Sequence, residues 1–325
     1  MSSKANAHGA CWFRQTAGSA PFGADPHLTS PLPARQDGED CPPAPPVPDR
    51  SFLPMLQFDH AVINVLGEMD TVLARYERLG FQMTPRGYHT LGSINHLAVF
   101  PECYIELLGY APGEKEKRAE QWVYPAGLTG LAVRPEDAAA THSALEAAGI
   151  PLEPYREFSR PVEVDGETRD ASFRTFQIDR NSTANGRLFY CQHLTPEFLW
   201  RKEHMTHPNG ATGIAGATIA CVDPDAIHAL MAETPEIAKT GPRDLKAGNT
   251  VLRFRHPDEL ANELGGAELP ALLGKSMRMV CLDIACRSLD DAANLLIKNG
   301  VPFDRDGGTL RLAPKEAGGV ILRFT

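Results

Sequence analysis

The chain lacks any run of about eighteen apolar residues, the length a helix needs to cross a bilayer, so no membrane span is expected. Its seven cysteines include no CxxC pair, and Cys281 and Cys286 stand five positions apart. That spacing argues against a closed zinc knuckle, and nothing lays out a disulfide framework. Cys103, Cys191, Cys221, Cys281 and Cys286 sit in apolar, strand-like runs and read as buried free thiols. They point to a reducing, cytoplasmic compartment. No glycine-rich phosphate loop follows a strand, because the glycines of NGATGIAGA miss the Rossmann spacing. No G-x-S-x-G elbow exists either, which removes support for a serine triad. Positive charge is short as well. A formal net charge of -9 offers no basic field for a phosphate backbone, so a nucleic-acid partner is disfavoured.

What is present is ordinary soluble composition: 325 residues, 42% hydrophobic and 22% charged, enough for two domains of usual size. Residues 1–54 differ in kind, with the run PLPARQDGEDCPPAPPVPDR. Proline there cannot feed helix or sheet ladders and little could pack a core, so a mobile or draped leader is expected. It has no apolar h-region of the kind a secretory signal carries.

From Phe58 the order becomes regular. FDHAVINV reads as a strand, and MDTVLARYERLGF as a helix ending at Gly80. The strand candidates FQMTPRG, NHLAVF and CYIELLGY follow, giving one βαβββ unit. TGLAVRP, PEDAAATHSALEAAGI, ASFRTFQI and RLFYCQHL repeat the theme. AGATIACVD, PDAIHALMAE and TVLRFRH make a third, less regular copy, and MVCLDIACRS with SLDDAANLLIKNG and TLRLAP opens a fourth. TIACVD and DIACRS match closely, and LGF, AGIP and NGVPF each follow a helix. Four such openings indicate internal duplication. Laying them together puts His60, Gly130, Thr218 and Asp283 in one column. The expected class is α+β: four tandem βαβββ units, paired into domains at 55–205 and 211–325 with curved mixed sheets. The polar stretch EHMTHPNGAT reads as the junction.

The βαβββ order, the DH of the first strand and the IELL of the fourth resemble the vicinal oxygen chelate superfamily (glyoxalase, bleomycin-resistance and extradiol dioxygenase proteins). YCQHLTPEFLW is similar to its glyoxalase-like domain members. The resemblance is clearer over residues 56–202 than over 211–325. It implies a divalent metal, Fe(II), Mn(II) or Zn(II), in the cleft of paired units, held by first- and fourth-strand ligands. His60 and Glu106 match two such positions, and Gly130 cannot ligate. His193 would complete a two-histidine, one-carboxylate set with open positions. Counting by strict alternation puts Tyr190 and Gln192 nearer the Glu106 column, so Gln192 is the alternative and His193 would need a bulge.

His96 is a candidate acid or base, Tyr190 a pocket member, and Arg174 a partner for a carboxylate or enolate oxygen. Neighbours on a strand face opposite ways, so Asp59 is expected to bond locally rather than orient His60. His89 reads as a turn residue, and His204 and His207 as solvated. The second pair has no histidine in its opening column; an Asp283–Arg323 ion pair could fill its centre. The resulting expectation is a monomeric or homodimeric enzyme of dioxygenase, lyase or isomerase type, acting on a small oxygenated molecule. A metal-free binding protein of the same fold is the alternative.

Overall fold

The computed structural model describes residues 56–89 and 92–325, and the leader expected at residues 1–54 lies outside them. The first unit runs β1 (Gln57–Leu66), α1 (Met69–Arg78), β2 (Gly87–Tyr88), β3 (Ser93–Val99), β4 (Tyr104–Tyr110). The second runs β5 (Gly127–Arg134), α2 (Ala138–Ala147), β6 (Arg156–Val164), β7 (Glu167–Gln177), β8 (Arg187–His193). The third comprises β9 (Ala211–Cys221), α3 (Pro224–Ala232), β10 (Ala238–Gly241), β11 (Asp244–Ala247) and β12 (Thr250–Arg255), followed by an extra helix, α4 (Pro257–Glu263). The fourth comprises β13 (Met277–Cys286), α5 (Leu289–Lys298), β14 (Asp304–Asp306), β15 (Thr309–Leu312) and β16 (Ile321–Phe324).

Two eight-stranded sheets result, ordered β2-β3-β4-β1-β5-β8-β7-β6 and β10-β11-β12-β9-β13-β16-β15-β14. Within each unit the fourth strand lies parallel beside the opening strand. The two opening strands of a pair then join antiparallel. The sheets are mixed and curved, and the α+β fold of four paired βαβββ units is the observed one. The first sheet nearly closes, because its edges β2 and β6 approach each other. Among the described residues no helix is long and apolar enough to cross a membrane.

Period-two alternation sorts each strand between two faces. On β1, Ala61, Ile63 and Val65 join one large core shared by both sheets, while Val62 belongs to a smaller cluster on the other face. On β4 the division is Ile105 and Leu107 against Leu108; on β8 it is Leu188 and Tyr190 against Phe189 and Cys191. α1 covers the shared core with Met69, Val72 and Tyr76, a stripe at helical spacing. It stops at Gly80, whose φ of +82° suits glycine. The two sheets are also tied by polar contacts: Tyr190 Oη lies 2.6 Å from Thr234 Oγ1, and Arg278 Nη2 donates to the Ala126 carbonyl at 2.8 Å.

The ladders bear on the opening column. His60 pairs with Ala132 and Val62 with Gly130, so the local twofold exchanging β1 and β5 carries His60 onto Gly130. Thr218 pairs with Cys281 and Gly216 with Asp283, which relates Thr218 to Asp283 in the same way. In the second sheet Asp283 is 3% exposed and accepts from Arg323 Nε at 2.6 Å and from Arg253 Nη1 at 2.7 Å. The expected pair is therefore a triad, with one cation from the fourth strand of each unit.

The junction departs from expectation. His207 is buried, 1% exposed, against Phe81 and Phe100. Its Nδ1 accepts from the Gln82 amide at 3.0 Å and its Nε2–H donates to the Val99 carbonyl at 2.9 Å. Packing of the chain's return beneath β3 overrides the polar look of the segment.

Removing Asp283 leaves two guanidiniums facing each other beside the core. Asp283→Ala is expected to lower stability by about 3 kcal/mol, the low end for a broken buried pair because both arginines keep some access to water; urea unfolding measures it. Burial lowers the pKa of His207, outweighing the Val99 hydrogen bond, and burial lowers that of His228 in the same direction. The unfolded chain then binds more protons than the folded one below the ordinary histidine value of about 6.5. Stability is full above that value and erodes as pH falls toward the lowered folded values, so the unfolding free energy should drop steadily as pH falls below about 6.5.

Candidate functional site

The smaller-cluster face of the first sheet walls a cavity of about 200 Å³. Its lining includes His60 from β1, Asn95 from β3, Tyr104 and Glu106 from β4, and Phe189 and Cys191 from β8. β1 and β4 run in parallel register, His60 beside Tyr104 and Val62 beside Glu106. Even-numbered residues of both strands therefore face the same space, and His60 Nε2 comes to 3.9 Å from Glu106 Oε2.

His60 is held on three sides. Its ring stacks on Tyr104 with centroids 4.4 Å apart and meets the Phe189 edge at 5.1 Å. Its Nδ1–H donates to Asp59 Oδ2 at 2.6 Å. That contact corrects the expectation for Asp59. The β1–β5 register shifts between Phe58 and His60, making Asp59 the extra residue of a bulge. A bulge breaks alternation, so consecutive side chains meet on one face. Asp59 is fully buried. The same Oδ2 accepts from His193 Nε2 at 3.0 Å, and Oδ1 accepts from Arg134 Nη1 at 3.2 Å. Burial alone would raise the Asp59 carboxyl; the charge and hydrogen bond of His193 and those of His60 outweigh it and hold it well below the usual carboxylate range. Because a carboxylate accepts only, both imidazoles present N–H to it. His60 is thereby left with Nε2 facing Glu106.

Glu106 is held too. Asn95 Nδ2 donates to its Oε1 at 2.7 Å. Burial pushes its pKa up, but the His60 and His89 charges, the Asn95 bond and Arg160 bring it below the ordinary value. His89, bonded through Nδ1 to Ser93 Oγ at 2.7 Å, lines the same cavity although its sequence context reads as a turn.

The other sequence candidates separate. His193 needs no extra bulge: it shares the face of Phe189 and Cys191 by plain alternation. Its Nε2, however, is bonded to Asp59, and its side chain is 2% exposed behind the cavity wall. Gln192 faces α2, where its Oε1 accepts from the Ala138 amide at 3.2 Å. Tyr190 lies in the shared core, stacked on Phe176 at 4.4 Å. Ala132 pairs with Phe189 as Val62 pairs with Glu106, so Phe189, not Tyr190 or Gln192, occupies the Glu106 column. His96 points away from the cavity, with Nδ1–H donating to the Thr84 carbonyl at 2.8 Å and Nε2 accepting from Arg86 at 3.2 Å. Its strand neighbour Asn95 faces the cavity instead. Arg174 is on the surface, paired with Glu157 at 2.8 Å; alternation on β7 turns Phe173 and Thr175 inward.

Gly130 has a packing reason for lacking a side chain. A Cβ there would sit 2.9 Å from Val62 Cβ and 3.2 Å from Phe189 Cε1. The second unit thus fills both of its ligand columns with glycine and an aromatic ring. A further donor cluster lies at the wall itself: the ligand atoms of Asp59, Cys191 and His193 are all within 4.8 Å of one another. Asp59 and His193 are already bonded there, and burial pushes the Cys191 thiol far above its ordinary pKa.

The sequence profile of the glyoxalase-like domain family matches residues 58–234, more than half of the chain. The chain belongs to that family. No curated protein sequence matches it. Among solved structures, a hypothetical protein from Staphylococcus aureus is 14% identical with a TM-score of 0.58, over 83% of this chain and 99% of that one. A mutant of 4-hydroxymandelate synthase from Streptomyces coelicolor is 9% identical with a TM-score of 0.53, over 84% and 92%. A xylose isomerase-like TIM barrel/4-hydroxyphenylpyruvate dioxygenase fusion protein is 12% identical with a TM-score of 0.51, over 83% of this chain and 49% of that one. These neighbours share the fold of the vicinal oxygen chelate superfamily, to which this glyoxalase-like protein belongs.

Asp59 ties His60, His193 and Arg134 into one network, so its members should not act independently. Asp59→Ala and His193→Ala are expected to be strongly non-additive, with a coupling of about 1–2 kcal/mol in a urea-unfolding double-mutant cycle.

Proposed function

We propose that the protein is a divalent-metal-dependent enzyme acting on a small oxygenated organic molecule, with His60 and Glu106 as its protein ligands. The observation that carries this reading is the 3.9 Å approach of His60 Nε2 to Glu106 Oε2, each backed by a dedicated partner, Asp59 and Asn95. Two bonds of about 2.1 Å place ligand atoms in adjacent positions about 3.0–3.4 Å apart, so the pair reaches one ion with a side-chain movement of about half an ångström. Outer hydrogen bonds of this kind fix the tautomer of a ligating histidine and raise its basicity. A bound ion would act as a Lewis acid on neighbouring substrate oxygens.

The chain's own groups define the rest. Asp59 keeps the His60 ring in one orientation, and Tyr104 and Phe189 stop it from rotating. Phe189 and Gly130 leave the second unit's side of the cavity apolar, where the body of a substrate can pack. His89 supplies a second imidazole in the cavity, in the acid–base role that sequence reasoning gave to His96. Since His193 does not line the cavity, the three-donor set suited to Fe(II) oxygenases lacks its third member there. That favours Lewis-acid isomerase or lyase chemistry over dioxygenation. Five free cysteines among the described residues support a reducing, cytoplasmic setting.

A second reading, metal-free sequestration of a small ligand, is favoured by one feature: both ligand columns of the second unit are non-ligating. Elemental analysis after anaerobic purification, with metal add-back, separates the two. The enzyme reading expects near-stoichiometric transition metal, lost in His60→Ala and Glu106→Gln and kept in Cys191→Ser. Metal kept in His60→Ala but lost in Cys191→Ser would move the ion to the buried Asp59, Cys191 and His193 cluster. No bound or restorable metal in the wild type would leave sequestration.

A further inference from the structure

β6 is an edge strand whose residues are exposed or half-exposed at every position but one. The exception is Arg160, 8% exposed. A buried guanidinium normally has an anionic or carbonyl partner. Arg278, the other buried arginine among the described residues, donates to the carbonyls of Ala126 and Ala271. The Arg160 side chain has no hydrogen-bonded or ion-paired partner among the described residues; its Cζ lies 5.8 Å from the Phe173 ring, and its charge acts at longer range on the Glu106 carboxylate. It stands in the gap where the sheet nearly closes. A Cβ built on Gly87 of the opposite edge would lie 3.5 Å from Arg160 Nη1 and 2.2 Å from Asn95 Oδ1. Asn95 in turn holds Glu106. Arg160 lines the cavity together with His60 and Glu106, and also a second cavity of about 240 Å³ on the far side of Asn95 and Leu97.

We propose that the cavity takes a small monocarboxylate with an apolar, aromatic body, its carboxylate seated on the Arg160 guanidinium and its other end toward His60 and Glu106. The guanidinium fork matches a carboxylate in two parallel hydrogen bonds. The other arginines that line the cavity are Arg156, which is exposed, Arg187, whose Cζ lies 4.8 Å from the Phe189 ring, and Arg180. Arg180 is already committed to Glu153 at 2.6 and 3.0 Å. Glu106 holds a carboxylate in the same space, which disfavours a dianion. Phe158, Phe173 and Phe189 line the cavity and supply faces for an aromatic body. Two buried polar atoms without partners, Gln121 Nε2 and Tyr124 Oη, belong to residues that line the same cavity and are available to a polar substituent on that body.

The proposal rests on this cavity being the substrate site, and does not require the metal. The test is calorimetric titration of the full chain, metal-free and after Mn(II) add-back, with phenylacetate, phenylacetamide and phenyl phosphate. Phenylacetate is expected to bind about 10–100-fold more tightly than phenylacetamide, the span of a charge-assisted hydrogen bond to a buried partner. Arg160→Met should erase that preference while leaving phenylacetamide binding unchanged, and Arg160→Lys should restore part of it. A merely structural arginine would weaken acid and amide alike. Should Arg160→Met fail to fold, the wild-type comparison decides. Equal affinity for acid and amide, no binding of either, or tighter binding of phenyl phosphate would overturn the proposal. A carboxylate preference in a protein that holds no metal would sink the metal reading alone. Metal bound without that preference would sink this one alone.

Discussion

One buried carboxylate organises the first sheet. Asp59 sits at a bulge, receives two imidazole N–H groups on one oxygen and a guanidinium on the other, and has no access to water. An ion in such a place is tolerable only when its partners satisfy it. The partners are consequently fixed as firmly as the carboxylate. His60 can present only Nε2 to the cavity, and His193 must turn its ring inward behind the wall. The cavity's chemistry thus depends on a contact outside the cavity.

The two sheets are built to one plan and end differently because each opening column must settle its own charge. In the first, His60 lies opposite a glycine, and the space beside it is filled by Val62 and Phe189. That asymmetry opens one half of the cleft to a polar ligand and makes the other half apolar. In the second, Asp283 stands in the column and draws in Arg253 and Arg323, one from each half. Three charges meeting at the centre close that site by mutual pairing. An aspartate in the histidine's column, with an arginine from each fourth strand, makes that centre a structural clamp.

Sheet curvature adds what strand order alone does not. β2 and β6 are the last strands on either side, far apart along the sheet, yet they approach across the cavity mouth. That approach buries Arg160 on a strand otherwise wet on both faces. The absence of a bonded carboxylate distinguishes it from surface arginines such as Arg78, Arg174 and Arg243, each of which is paired with one.

Much was legible before any coordinates. The βαβββ order, the fourfold repetition and the alignment of His60 with Gly130, Thr218 and Asp283 follow from periodicity and turn residues, which act over a few positions and leave a trace in the chain. His60 and Glu106 could be named because the DH and IELL that carry the family resemblance place them at its first- and fourth-strand ligand positions. The rest depended on distance along the chain. His96 and Asn95 are neighbours that face opposite ways, and only the sheet's curvature decides which face is the cavity. Arg174 and Arg160 are both strand arginines in one hairpin, and nothing local says which is dry. Asp59 orients His60 because one residue bulges out of register against β5, an event set by a partner strand some seventy positions away. Composition and period determined the architecture; which side chains share a space was decided by long-range pairing, because register and curvature belong to the sheet and not to any one strand.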